Sequence, residues 1–282
     1  MNNQSKWRLD FATQLHSKLR HFSGVHAILV GGSVARGYSD VYSDLELILY
    51  WDEYPCEDTK YSIINDLNAK FSYPKLDHGH ESALLINGFP VDLWHRTIAE
   101  EEITMNKVLH EYSLDLNANN TLDTIRNGIP LYGKNLMQKW KKDVTKYPEE
   151  LSIQFLEEYL PHFHLRQLNF AVHRDNPTAI YAMISAIQSS LFLILLALNQ
   201  SYFPTYKWIY KRLYELAYVP TQIESKLRNI YKLEPLEALE QLHSILTETL
   251  TMVEEMFPQV NTAFAKYGLD QKIPKPYYHA PL

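Results

Sequence analysis

Two carboxylates sit at alternating positions in an otherwise apolar run, Asp44-Leu45-Glu46-Leu47-Ile48-Leu49. In a β-strand, residues two apart point to the same face, so Asp44 and Glu46 project together. Like charges side by side repel, and burying them unpaired is costly. A divalent cation relieves both penalties, and Mg²⁺ favours a few carboxylates combined with substrate phosphates. Upstream, the apolar run Val25 to Val30 enters the turn Gly31-Gly32-Ser33. Such a turn lets backbone N–H groups approach a phosphate at a helix N-terminus. A phosphate cradle beside paired carboxylates is the equipment of phosphoryl or nucleotidyl transfer.

The order Gly32-Ser33, the spacer Val34 to Ser43, then Asp44-Leu45-Glu46-Leu47 resembles the signature of the DNA polymerase β-like nucleotidyltransferase superfamily. The longer form, Gly31-Gly32-Ser33-Val34-Ala35-Arg36-Gly37 with Ser43 before the acids, is similar to the branch that includes aminoglycoside and lincosamide nucleotidyltransferases. The resemblance implies ATP as co-substrate and two Mg²⁺ ions held by a carboxylate cluster. It implies transfer of AMP to a hydroxyl of a small molecule. It also implies a third carboxylate from a later strand, a role that falls to Asp92 in Val91-Asp92-Leu93-Trp94-His95. An acid among such apolar neighbours needs a partner in any case. Finally, it implies a lysine of a helical domain facing the triphosphate, a role that falls to Lys207 in Tyr202-Phe203-Pro204-Thr205-Tyr206-Lys207-Trp208.

The rest of the chain sets the frame for this motif. Its 282 residues allow one large or two ordinary domains. A net charge of −6 argues mildly against a long polyanion such as DNA or RNA and is compatible with a cationic small molecule. The lone Cys56 excludes an intramolecular disulfide, and the cytoplasm is the expected setting. The most apolar stretch, Ala179 to Leu198, contains Ser185, Gln188, Ser189 and Ser190. It reads as a helix buried in a helical domain rather than as a membrane span.

In chain order, Lys6 to Phe22 has helical spacing, with Leu9, Ala12, Leu15, Leu19 and Phe22 on one face. Val25 to Gly31 and Leu45 to Trp51 read as strands. Asp58 to Phe71 reads as a helix. Ser82 to Ile86 and Phe89 to Trp94 flank Asn87-Gly88, a hairpin signal. Ile98 to His110, Leu122 to Asn127 and Asn135 to Lys146 are helical, with Gly128 to Gly133 extended. Tyr147-Pro148 marks a boundary between domains 1–147 and 148–282. Beyond it, Glu149 to Asp175, Pro177 to Gln200, Tyr206 to Tyr218, Gln222 to Leu233 and Leu236 to Lys266 all carry helical patterning. The expected class is α+β: an N-terminal α/β nucleotidyltransferase domain with a mixed sheet, then an all-α bundle that binds substrate or nucleotide. The tail Ile273 to Leu282 is Pro-rich and extended.

The candidate catalytic and metal-binding residues are therefore Asp44, Glu46 and Asp92. Those for nucleotide binding are Gly31, Gly32, Ser33, Arg36 and Lys207. Ser33 offers a hydroxyl to the β- or γ-phosphate, and Arg36 either reaches phosphate or pairs with Asp40. The general base is Asp92 or a helical-domain acid such as Glu157 or Glu158, which otherwise form a solvated helix face. Asp77-His78-Gly79-His80-Glu81 has metal-like composition but reads as a solvated loop. His162, His164 and Arg166 either line the acceptor site or serve surface and packing. The competing functions are a regulatory, antitoxin-like nucleotide binder and adenylylation of a protein or an RNA end.

Overall fold

The computed structural model describes residues 1–72 and 80–271, and its architecture is α+β. Contacts divide the chain into two units, Met1–Tyr147 and Pro148–Leu282. The first unit runs α1 (Asn3–Leu19), β1 (Val25–Val30), α2 (Gly32–Arg36), β2 (Leu45–Trp51), α3 (Glu57–Asp66), β3 (Ala69–Phe71) and β4 (Glu81–Ile86). It continues with β5 (Phe89–Thr97), α4 (Ile98–Leu109), α5 (Leu116–Asn127), β6 (Ile129–Tyr132) and α6 (Lys134–Thr145).

Among the described residues, the strands form one sheet in the order β3-β4-β5-β2-β1-β6. β2 and β5 are parallel and the other pairings are antiparallel, so the sheet is mixed. The hairpin of β4 and β5 closes on Asn87 and Gly88, with φ of 53° and 80°. Left-handed backbone at both positions matches the twist of the flanking strands.

One sheet face is dry. Ile28 and Val30, Leu45, Leu47, Leu49 and Trp51, Leu84 and Ile86, and Val91 and Leu93 pack under α1 and α3. Each such side chain contributes roughly 2 kcal/mol by leaving water. The period of two then sends Glu46, Ile48 and Tyr50 of β2, and Asp92, Trp94 and Arg96 of β5, to the opposite face.

Several elements differ from their sequence expectation. The fully buried stripe of α1 is Ser5, Arg8, Ala12, Leu15 and Leu19, with Leu9 and Phe22 packed against the core as expected but only partly buried; the charged Arg8 on this stripe was not expected. The helix after Cys56 stops at Asp66. Asn68 takes φ 50° and turns the chain, so Ala69–Phe71 pairs with β4 as a strand. α5 begins at Leu116 because the Asp115 carboxylate caps it, accepting from the Ala118 N–H at 2.8 Å.

The second unit holds, among its described residues, α7 (Glu149–Tyr159), α8 (Arg166–His173), α9 (Pro177–Leu198), α10 (Ile209–Leu213), α11 (Ile223–Ile230), α12 (Pro235–Met256) and α13 (Ala263–Asp270). Two long helices expected from periodicity are each divided. Pro161 lies in a 3₁₀ turn that separates α7 from α8, and Pro258 follows the end of α12. Proline lacks the N–H that a continuing helix needs. Tyr206–Trp208 is a 3₁₀ turn and α10 is only five residues long. Leu213 alone is buried in that segment, too little apolar face to sustain a longer helix. α9 is long and apolar enough to cross a membrane, yet Leu191 to Leu198 are all buried, and it packs against α7, α8 and α12. The tail Ile273 to Leu282 lies outside the described residues.

Candidate active site

The register of the sheet puts Glu46 directly opposite Asp92 on the parallel neighbour β5. Asp92 in turn faces Ala83 on β4. On the other flank, the Gly31 N–H donates to the Glu46 carbonyl at 3.1 Å. Reading across the sheet, the row is Ala83, Asp92, Glu46, Gly31. Directly opposed residues share a face at roughly 5 Å. Two adjacent half-buried carboxylates thus have a residue without bulk on either side.

Asp44 lies one residue before β2 and is half-buried. The loop that delivers it is stitched internally: the Asp40 carboxylate accepts from the Tyr42 N–H and the Ser43 hydroxyl, both at 3.0 Å. Arg8 of α1 clamps the same loop from beneath. Its Nε and Nη2 donate to the Ser43 carbonyl at 3.0 and 2.6 Å, and Nη2 also donates to the Asp40 carbonyl at 2.9 Å. Burial pushes the Arg8 pKa down, and the negative charges of Asp40 and Asp44 oppose that.

At the turn, Gly32 adopts φ +55°, and a Cβ there would lie 1.5 Å from Glu46 Oε2. The Glu46 carboxylate rests on the backbone of Gly32, a place no other residue could leave open. Ser33 follows in α2, its hydroxyl 3.1 Å from that of Ser39. Arg36 has a different acid partner from the expected Asp40. Its Nε donates to Asp123 Oδ2 of α5 at 3.0 Å, Nη2 bonds the same oxygen, and Nη1 donates to the Gly32 carbonyl at 2.9 Å. The two side chains are 6% and 1% exposed, so this is a buried ion pair. It ties the glycine turn to α5, and all three guanidinium nitrogens are engaged with the protein.

A cleft of about 720 Å³ opens on the same sheet face. Glu46, Ile48, Tyr50, Trp94 and Arg96 form its floor, and side chains of α4 and α5 its other wall. Deep in it, the Tyr50 hydroxyl donates to Glu101 at 2.9 Å. Burial pushes the Glu101 carboxyl up to about 7, against the lowering influence of the Tyr50 hydrogen bond and of Arg96. Burial also raises the Tyr50 hydroxyl well above its usual range, reinforced by the charge of Glu101.

The carboxylates are the hard oxygen donors that Mg²⁺ takes. Among the described residues, however, no three His, Cys, Asp or Glu side chains converge as a metal-ligand set. The chemistry of the donors fits a divalent ion. The Glu46 side chain, resting on Gly32, would have to turn toward Asp92 to complete the set.

The remaining candidates lie elsewhere. Lys207 belongs to the second unit, exposed in its 3₁₀ turn, with Nζ 5.3 Å from the Trp208 ring centroid. Glu157 and Glu158 are exposed on α7. His162 Nδ1 and the Ser190 hydroxyl are 2.7 Å apart, His164 stacks on Phe264, and Arg166 lies over Phe170. Of the acidic loop, Asp77, His78 and Gly79 lie outside the described residues.

Arg8, Tyr50, Arg96, Glu101 and Asp123 were not singled out from sequence. The signal was present for three of them as a charge on an apolar helical stripe. Arg8 shares the face of Ala12 and Leu15, Glu101 that of Met105 and Val108, and Asp123 lies between buried Leu122 and Ile125. Arg96 continues the alternation of Asp92 and Trp94 along β5.

In comparison with known proteins, the sequence profile of a domain of unknown function (DUF4037) matches residues 115–209, from the cap of α5 to the start of α10. A solved structure of a nucleotidyltransferase-like protein from Exiguobacterium sibiricum is similar at 13% identity, with a TM-score of 0.39. That alignment covers 88% of this chain and 78% of the other. No curated protein matches the sequence.

Proposed function

We propose that this protein is a metal-dependent nucleotidyltransferase that moves a nucleoside monophosphate, AMP from ATP, onto a hydroxyl of a small molecule. The observation that carries this reading is the row Ala83, Asp92, Glu46, Gly31, with Gly32 open beneath the Glu46 carboxylate. Two acids side by side on a strand pair repel each other, and a bound divalent cation relieves that repulsion.

Asp44, Glu46 and Asp92 would hold the Mg²⁺ ions. Bound there, the metal supplies charge neutralisation on the phosphates and lowers the pKa of the attacking hydroxyl. The chain's own residues do the rest. Gly31 and Gly32 admit phosphate oxygens to the backbone, and Ser33 offers its hydroxyl to them. Asp92 is the candidate to take the proton from the acceptor hydroxyl. Arg36 and Asp123 hold the glycine turn in place, and Arg8 holds the loop before Asp44. The resemblance makes Lys207 the candidate partner of the β- and γ-phosphates.

The test is pyrophosphate release from Mg²⁺–ATP across a panel of hydroxylated small molecules, aminoglycosides and lincosamides included. Asp44→Asn is the control and should abolish release without unfolding the chain. Release at an undiminished rate in that variant would sink the reading. One observation favours a second reading, a nucleotide-binding regulatory protein: the three acids do not converge. Calorimetry separates the two, since that reading requires ATP binding with no pyrophosphate from any acceptor.

A further inference from the structure

The α4 end of the cleft carries two cations beside the Glu101 carboxyl. Arg96 and Lys107 both line it, and among the described residues neither side chain forms an ion pair or a side-chain hydrogen bond. Arg96 is half-buried and lies over the Trp94 ring, 5.3 Å from its centroid. A guanidinium over an indole is held there by the attraction of the ring face for a cation. Thr104 and Thr121 line the same end, the Thr104 hydroxyl donating to the Glu100 carbonyl at 2.9 Å. A second cavity, of about 280 Å³, continues past this point and shares Arg96, Glu101, Thr104, Lys107 and Thr121.

The carboxyl that might neutralise Arg96 is otherwise engaged. Glu101 accepts from Tyr50 at 2.9 Å, and burial pushes it up to about 7, so near neutrality much of its charge is absent. The Glu100 carboxylate is bonded by the Tyr54 hydroxyl. The recess thus holds two cations that form no ion pair with the carboxyls beside them, and an entering anion would take charge-assisted hydrogen bonds from both.

We propose that this recess is an anion subsite. It recognises a carboxylate or phosphate monoester through Arg96 and Lys107, with Thr121 as a further donor. Arg96 stands four residues beyond Asp92 on β5, a span of about 13 Å at strand rise. That separation distinguishes the subsite from the Gly31–Ser33 cradle. Taken together with the nucleotidyl-transfer reading, it makes the acceptor an elongated acid. One end is anionic and lies on Arg96 and Lys107, and the other presents a hydroxyl beside Glu46 and Asp92.

A matched set of probes tests this on the full-length protein: glucose 6-phosphate, glucuronate, glucose and glucosamine, titrated by calorimetry or ligand-observed NMR. The two anions are expected to bind at least tenfold more tightly than glucose, and glucosamine most weakly. The comparison between phosphate and carboxylate identifies which anion the site prefers. Arg96→Gln and the exposed Lys107→Gln should each remove most of the preference. Arg96→Lys should retain part of it. Equal binding of all four sugars, tightest binding of glucosamine, or an unchanged preference in both neutral variants would overturn the proposal. The two readings fail separately. Anion preference without pyrophosphate release from any acceptor would overturn nucleotidyl transfer and support the subsite. Release that is fastest with cationic acceptors, and insensitive to Arg96→Gln, would do the reverse.

Discussion

Glu101→Gln isolates the thermodynamic cost of the buried carboxyl. In the fold, burial holds this group at about 7, against an ordinary value of 4.5. The folded state therefore favours the protonated form. Its stabilising contribution is complete below pH 4.5 and is lost as pH rises through about 7. With 1.36 kcal/mol for each pH unit between the two values, the ionised carboxylate destabilises the fold by about 3 kcal/mol at pH 8. Glutamine keeps an oxygen to accept from Tyr50 and cannot ionise. The variant should match the wild type to within about 0.5 kcal/mol near pH 4.5 and exceed it by about 3 kcal/mol near pH 8. Three groups share the site and enter the balance: Tyr50 and Arg96 lower the Glu101 value and Glu100 raises it. Urea unfolding followed by tryptophan fluorescence reads mainly the first unit, because Trp7, Trp51, Trp94 and Trp140 lie within Met1–Tyr147 and only Trp208 lies beyond it. A difference between variant and wild type that stays constant across this pH range would refute the reasoning. So would one that favours the wild type in alkali.

Three further outcomes follow from the geometry. Removing one partner of the buried Arg36–Asp123 pair leaves an uncompensated charge, so Asp123→Asn should destabilise the first unit by roughly 3–5 kcal/mol. Arg36→Met with Asp123→Leu should recover most of that loss, and a double-mutant cycle in urea measures the coupling. Arg8→Met frees the carbonyls of Asp40 and Ser43 and should destabilise by about 2–3 kcal/mol. Its kinetic signature should be a fall in kcat with little change in ATP affinity, because Arg8 holds the loop before Asp44 and touches no phosphate. Gly32→Ala places a Cβ where the Glu46 carboxylate rests and adds about 1 kcal/mol of left-handed strain. It should displace Glu46 and weaken Mg²⁺–ATP binding at least tenfold, measured by calorimetry, while the far-UV circular dichroism is unchanged.

The site's distribution along the chain explains how far it could be read without coordinates. Asp44 and Glu46 are two residues apart, and Gly31 to Ser33 lies one short segment earlier. Period-two alternation and turn chemistry are local, so this stretch announces itself. The hairpin at Asn87-Gly88 is equally local, because positive φ at both positions has only one common use in a hairpin. Asp92 stands out as an acid among apolar neighbours, but its position beside Glu46 depends on β2 and β5 pairing in parallel. That pairing is a register no local pattern encodes.

The sequence alone determined the α+β class, the mixed sheet followed by helices, and the identity of the acid pair. Each rests on periodicity or on turn geometry within a few residues. Tertiary structure decided the rest. Arg36 meets Asp123 rather than Asp40 because α5 folds back over the glycine turn, and Arg8 reaches the loop before Asp44 because α1 packs beneath it. The carboxyl of Glu101 is pushed up to about 7 because burial strips its water, against the hydrogen bond from Tyr50. These are contacts between residues tens of positions apart, where partner choice follows from packing and desolvation rather than from spacing along the chain.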